Sequence, residues 1–243
     1  AVDLLIHLKK SLAKNDIVRV RMMCQFGIDC QSILPYILDL TRTYGSHMIR
    51  EVLSSPTVDM AQGFRGIPFH QYFELDYLIA IKDIKGIDFQ YKDRDNRNLA
   101  YWAVAAPYNE VLLLAFLQKH CQVDVNVGDK WGMNAAFLAV AHQKLDCIRY
   151  LVEQGHLDLN YQNKDGRTLA HECAERGCHA ILQYLIQKGI NLSIRTNTAE
   201  KETAYDLANI YFQGECLNLL KPWKESQSTS TTSNAESESK EKE

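Results

Sequence analysis

KDGRTLAHECAERGCHAILQYLIQKGINL, from Lys164 to Leu192, opens on a turn signal, continues as two short apolar-periodic runs and closes on Gly-Ile-Asn-Leu. Two His and two Cys fall between His171 and His179, a density that invites a metal or catalytic reading. The alternative is that the stretch is one copy of something that repeats. Repeats are therefore sought first, because missing them misassigns the whole fold.

An apolar-acid-apolar triplet recurs: Ile28-Asp29-Cys30, Val58-Asp59-Met60, Ile87-Asp88-Phe89, Val123-Asp124-Val125 and Leu157-Asp158-Leu159, with Ile190-Asn191-Leu192 as a variant. The central residues are spaced by 30, 29, 36, 34 and 33. A second landmark keeps step. Asn98-Leu99-Ala100-Tyr101, Asn134-Ala135-Ala136-Phe137, Thr168-Leu169-Ala170-His171 and Thr203-Ala204-Tyr205-Asp206 each follow a polar turn, at steps of 36, 34 and 35. Between the landmarks lie apolar residues at helical spacing, such as Ile148, Leu151 and Val152, or Ile181, Leu182, Leu185 and Ile186. Two short amphipathic helices per unit cannot bury their apolar faces alone, and stacking the units makes one shared core. Ala139, Ala170 and Ala174 are small enough for close helix approach. Gly155 and Gly189 suit helix ends that need positive φ, and Asn98 and Asn134 suit helix caps.

This pattern resembles the ankyrin repeat, a unit of hairpin turn plus two antiparallel helices with the pattern Gly-x-Thr-Pro-Leu-His-x-Ala, then Gly, a Leu-rich helix and Gly-Ala-Asp-Val-Asn. In the Lys164–Leu192 copy, Gly166, Thr168, His171, Gly177, Leu182, Leu185 and Gly189 fall on pattern positions, with Leu169 replacing Pro and Cys173 and Ala174 at the Ala sites. The preceding copy carries Gly132, Leu151, Gly155, Asp158 and Asn160. Earlier, Gly66, Pro68, Phe69 and His70 match with one residue missing, and residues 12–29 look like a second helix and finger. The resemblance implies an all-α ankyrin solenoid of about six to seven units with short hairpin fingers. We expect degenerate helical units over 1–65, an ankyrin domain over 66–223 with a last helix near Glu215–Leu220 closed by Pro222, and a disordered tail over 224–243. In that tail nine of the fourteen residues from Ser226 to Ser239 are Ser or Thr, followed by Lys-Glu-Lys-Glu, a composition that cannot offset its own ordering entropy. The first helix is apolar around much of its circumference. Either it is an unusual buried cap, or an upstream domain that would cover it has been removed.

Repeat logic also accounts for the His/Cys cluster. By resemblance, His171 and Thr168 brace the turn against the first helix, and Cys173 takes a small buried site. Cys178 and His179 open the second helix. No metal or cofactor site is predicted, and the spacings match no common zinc pattern. Paired carboxylates, a phosphate-cradling loop and a nucleophile elbow are missing. Gly63 and Gly66 are too sparse for a phosphate cradle. The formal net charge of −3 and the absence of a basic stripe argue against nucleic acid. Apolar runs such as 111–117 are too short to span a bilayer. Seven scattered cysteines and no visible leader lead us to expect a reduced, cytoplasmic protein. Gly45-Ser46-His47-Met48 and IYFQG at 210–214 look like tag remnants but sit inside periodic segments and are read as native.

The resemblance places function on the finger tips and the exposed side of the first helices, and implies binding of another protein by a monomer without catalysis. By position the tips carry Arg94, Asp95 and Arg97, then Lys130, Trp131 and Met133, then Lys164, Asp165 and Arg167. The first helices add Trp102, His142, Glu175 and Arg176. Trp131 either meets a partner, as Trp and Arg do at binding hot spots, or folds back onto a neighbouring finger. Trp102 either joins the face or packs between first helices. Asn126 and Asn160 end two fingers, a position that asparaginyl hydroxylases modify in this family. Irregular repeats and the Ser/Thr/Glu-rich end also resemble ankyrin effectors that legionellae-like intracellular bacteria inject through a type IV secretion system. The alternatives are a eukaryotic cytosolic scaffold, or the targeting part of an enzyme whose catalytic domain lies upstream or within 1–65. In that region His7, Cys24, Cys30 and His47 are the only residues of nucleophile or base type.

Overall fold

Each repeat starts where a polar side chain turns back on the helix it precedes. The Asn98 side chain accepts from the Tyr101 amide at 3.2 Å, and that of Asn134 accepts from Ala136 at 3.0 Å. Thr168 and Thr203 occupy the same position in the next two repeats. An N-cap satisfies amides that have no partner inside the helix and stabilises it by about 1 kcal/mol. In this computed structural model the described residues are 92–226 and, before them, 6, 7, 10, 11, 13, 14, 16–25, 75, 78, 79, 89 and 90. The helices that these residues form are α1 (Ile17–Gln25), α2 (Leu99–Ala105), α3 (Glu110–Cys121), α4 (Ala135–Ala141), α5 (Leu145–Glu153), α6 (Leu169–Arg176), α7 (His179–Gln187) and α8 (Ala204–Ile210). A further helix, α9, spans 214–226. No strand occurs among the described residues, and the fold is all-α.

The chain divides into two compact units. One comprises residues up to Asp93 with Asn98–Val123, and the other Arg94–Arg97 with the residues from Asp124 onward. In the first, α2 packs on α3, joined by Leu99, Val104, Leu113 and Leu117, all buried. In the second, α4, α6 and α8 lie side by side as one layer, and α5 and α7 pair in another. The layers close on small residues: Ala139, Ala170, Cys173, Ala174 and Ala208 are fully buried. Ile148, Leu151, Ile181, Leu182 and Leu185 fill the space between layers, each burial stabilising by roughly 1.5–3 kcal/mol. Val152 and Ile186, expected on that face, are only partly covered.

The turn between the two helices of a repeat holds one residue in the left-handed region: Asn109 (φ 59°), Gln143 (φ 55°), Gly177 (φ 71°) and Phe212 (φ 55°). Only the Gly177 copy uses the residue that adopts this conformation without strain. Phe212 is 91% exposed and so gains little packing in return. Phe212→Gly is therefore expected to stabilise the fold by about 0.5–1 kcal/mol, read as a rise in urea midpoint at unchanged slope.

Two local expectations are corrected. At the end of α5 the left-handed residue is His156 (φ 54°), not Gly155. Gly155 is required for space, because a Cβ there would lie 2.6 Å from the Leu151 carbonyl oxygen. Pro222 does not close the last helix, which continues through it to residue 226. A proline inside a helix removes its own amide bond and crowds the carbonyl four residues back, but it keeps a helical φ. Buried Leu220 anchors the preceding turn, and Lys224 Nζ lies 3.7 Å from Asp206 Oδ1. Residues 224–226, expected in the tail, thus belong to α9. The triplets at 28–30 and 58–60, the Gly66–His70 match, the 45–48 stretch, Cys30, His47 and residues 227–243 lie outside the described residues.

Candidate functional site

The tips of the second unit are built by buried side chains that gather backbone amides. Asp129 Oδ1 accepts from the amides of Trp131 and Met133, both at 2.9 Å. One repeat on, Asn163 Oδ1 accepts from Asp165 at 3.0 Å and Arg167 at 2.9 Å. In the next copy Thr196 takes this place, donating its amide to the Glu202 carbonyl at 2.9 Å. Adjacent tips are joined by single backbone bonds: Lys130 N–H to the Asp95 carbonyl at 2.7 Å, Lys164 to Trp131 at 3.1 Å and Asn197 to Asp165 at 2.7 Å. The result is a row of rigidly held tips. Asp129 and Asn163 escaped the sequence reading, although their shared offset, five residues before each N-cap, was a signal available to it.

Below the tips, the fingers are tied by their terminal amides. Asn126 donates to the His156 carbonyl at 3.2 Å and accepts from the Asp158 amide at 3.1 Å. Asn160 accepts from the Asn191 amide at 2.9 Å. In the first unit Gln90 donates to the Cys121 carbonyl at 3.0 Å. These side chains therefore have a structural task, independent of any modification.

Trp131 is 48% exposed, and Lys130 Nζ stands 4.2 Å from its ring centroid. Lys130 also reaches Asp95 at 2.7 Å, and Arg97 approaches the same carboxylate at 3.3 Å. The Lys130 hydrogen bond, aided by the charges of Lys130 and Arg97, holds the Asp95 carboxyl below the usual range. Arg167 pairs with Glu175, and Arg176 with Glu172, whose side chain is buried on α6. Arg97 and Arg167, expected on the tips of the binding face, are thus engaged within the chain. Arg94 and Lys164 are exposed, and no carboxylate among the described residues pairs with either. Asp165 is exposed, Met133 half-buried, and His142 exposed at the end of α4. Trp102 belongs to the first unit, half-buried, with its ring edge-on to that of Tyr101 at 5.8 Å.

The His/Cys cluster is dispersed into structural contacts. His171 is buried on α6. Its Nδ1 accepts from the Thr168 amide at 3.1 Å and lies 2.9 Å from the Thr168 hydroxyl, while Nε2 lies 3.2 Å from the Glu202 carbonyl. This arrangement sets the neutral tautomer with the proton on Nε2, and both ring nitrogens are occupied. Burial lowers its pKa from 6.5. Cys178 directs its thiol to the Val140 carbonyl at 3.5 Å, and Cys216 to that of Cys173 at 3.6 Å. Burial pushes the Cys173 thiol well above its ordinary range and that of Cys216 up to about 11. Thiolate is the reactive form. Cys173, Cys178 and Cys216 are therefore expected to resist alkylation in the native protein and to react fully in urea, as read by mass spectrometry.

Residues 100–196 match a family model described as ankyrin repeats in three copies. Over this part of the chain the sequence is similar to ankyrin repeats. B-cell lymphoma 3 protein of Homo sapiens is 34% identical over 67 residues, and an ankyrin repeat protein of Acanthamoeba polyphaga mimivirus 31% identical over 75. The matches cover 26% and 28% of this chain but only 15% and 12% of those proteins, so the chain spans a small part of the length of these relatives. The crystal structure of the ankyrin repeat domain of Bcl-3, a unique member of the IkappaB protein family, aligns at a TM-score of 0.72 and 17% identity, over 88% of this chain and 97% of that one. The crystal structure of another ankyrin repeat protein aligns at 0.62 and 22%, over 76% and 95%. At such identities the likeness shows the fold alone. Ankyrin repeats are protein–protein interaction modules, and no helix among the described residues is long and apolar enough to cross a membrane.

Proposed function

We propose that this chain binds another protein through the tip row of its second unit, without catalysis, as a monomeric cytoplasmic module. The observation that carries this reading is Trp131. A large aromatic half-exposed on a rigidly pinned turn gains little from folding, yet offers area to a partner at low entropic cost. Lys130, Met133, Arg94, Lys164 and Asp165 surround it in sequence and along the tip row, and Asp95, Arg97, Arg167, Glu175 and Arg176 form the ion-paired ground beside it. His142 lies at the end of α4, and Trp102 is proposed as a partner-binding residue of the first unit taken by itself. The finer reading, an ankyrin effector delivered into a host cell by a type IV system, is supported only by the Ser/Thr/Glu-rich composition of 226–243. The experiment compares proteins captured from a cell lysate by the parent chain and by Trp131→Ala. Loss of specific captures with an unchanged melting curve supports the tip row, and an identical capture profile sinks it.

A further inference from the structure

The tips leave a definite charge to solvent. Over residues 94–97, 129–133 and 163–167, three of the four tips joined in the row, they carry five cations and three anions, although the chain as a whole is −3, while the fourth tip carries Lys201 with Glu200 and Glu202. Two of those anions are already used. Asp129 is buried and faces the amides of Trp131 and Met133, and Asp95 lies between Lys130 and Arg97. Exposed and outside the ion pairs among the described residues are Arg94 on one tip, and Lys164 beside a single carboxylate, Asp165, on the third, with Trp131 exposed on the tip between them next to the ion-paired Lys130. The single backbone bonds Lys130 to Asp95 and Lys164 to Trp131 set these three side chains on consecutive turns of one row. Cations that pair with no carboxylate among the described residues, flanking an exposed aromatic on a fixed backbone, make a surface of defined chemistry: carboxylates are attracted at both ends and apolar area is covered at the centre.

We propose that the row takes an extended acidic segment of a partner protein, with Asp or Glu side chains at Arg94 and Lys164 and an apolar side chain against Trp131. This rests on the reading of the tip row as the binding face, and it adds the chemical class of the partner. Guanidinium suits a carboxylate at the Arg94 end, where two parallel hydrogen bonds can form, and the Lys164 ammonium acts as a point charge. Asp165 opposes the ligand at that end and tunes the affinity down. Pinned amides at the 129–133 and 163–167 tips limit the ordering cost of the encounter.

The test is selection of a random-peptide display library on the full chain, repeated on Arg94→Glu/Lys164→Glu, Asp165→Asn and Trp131→Ala, with thermal melts confirming that each variant is folded. Selected peptides are expected to be rich in Asp and Glu. Their affinity is expected to fall about tenfold in the charge-reversed variant at low salt and less at high salt, and to rise several-fold in Asp165→Asn. Peptides that depend on Trp131 but show no acidic bias would retain the tip row and overturn the acidic partner. Peptides indifferent to both Trp131 and the charge reversal would overturn the tip row itself, as would a selection that yields no binders. Displacement of the acidic peptides by a synthetic peptide of residues 227–243 would make the chain's own end the occupant and overturn the partner proposal.

Discussion

Replacing His171 by Ala is expected to cost about 3 kcal/mol of folding stability, the largest effect foreseen for a single polar side chain here. The imidazole is 1% exposed and joins two repeats. It accepts from the Thr168 amide at the start of α6, and its Nε2 meets the Glu202 carbonyl 31 residues away. Truncation strands an amide and a carbonyl away from water and opens a cavity at the helix start. Each stranded group costs roughly 1–3 kcal/mol. The next repeat achieves the same closure with Asp206, which accepts from the Thr203 amide at 2.9 Å and from its hydroxyl at 2.7 Å, so the task belongs to the position more than to imidazole. The pH dependence identifies the residue. Because burial lowers the folded pKa below the 6.5 of an unperturbed imidazole, the unfolded state binds more protons as the pH falls. The stability from His171 is therefore complete above about pH 6.5 and is lost as the pH drops toward the folded pKa. Urea titrations of the parent and of His171→Ala at about pH 7.5 and 5.5 check this. The gap between the two proteins should narrow at the lower pH, and an equal or wider gap would show that His171 is not held neutral.

The parts of the fold that were legible in the sequence are those in which one residue answers one local demand. A cap needs a short acceptor, so Asn98, Asn134, Thr168 and Thr203 could be found by spacing alone, and Asn in place of Thr did not obscure them. The helix layers were legible because Ile148, Leu151, Leu182 and Leu185 keep helical spacing and alanines mark the close approaches. A left-handed turn residue was legible at Gly189, where the residue type reveals the backbone, whereas Gly155 carried the same signal without that conformation. At Asn109, Gln143, His156 and Phe212 the stack imposes the conformation, and the side chain gives no sign of it. The helix through Pro222 failed for a related reason, since neighbouring burial outweighs one missing amide bond. At the candidate site, sequence position placed the tips but not their pairing. Asp95 and Lys130 stand 35 residues apart, and their contact depends on the bond that joins two tips, a relation no local pattern encodes. Carboxylates of their own repeats, Asp95 and Glu175, remove Arg97 and Arg167 from the free surface and leave Arg94 and Lys164 in their place.

Trp131→Ala is expected to weaken partner binding by about 2 kcal/mol, roughly 30-fold, while changing folding stability by less than about 0.5 kcal/mol. The two numbers separate because of where the indole sits. A Trp within the helix layers would cost roughly 3–5 kcal/mol of stability on truncation, but nearly half of this side chain is open to solvent and its turn is held by other groups. Asp129 fixes the amide of residue 131 and the Trp131 carbonyl accepts from Lys164, and Ala at 131 retains both bonds. Among the described residues the ring meets one cation, Lys130, in an exposed cation–π contact worth roughly 0.5–1 kcal/mol at most, partly recovered because Lys130 keeps Asp95. Binding has no such substitute, since no other aromatic stands on the tips 94–97, 129–133 and 163–167. Urea unfolding of the variant gives the first number, and titration with a peptide selected on the parent chain gives the second. A variant that unfolds 3 kcal/mol earlier would place Trp131 among the structural residues, whereas one that unfolds normally and binds with parental affinity would move the search for the interface to the exposed faces of α5 and α7.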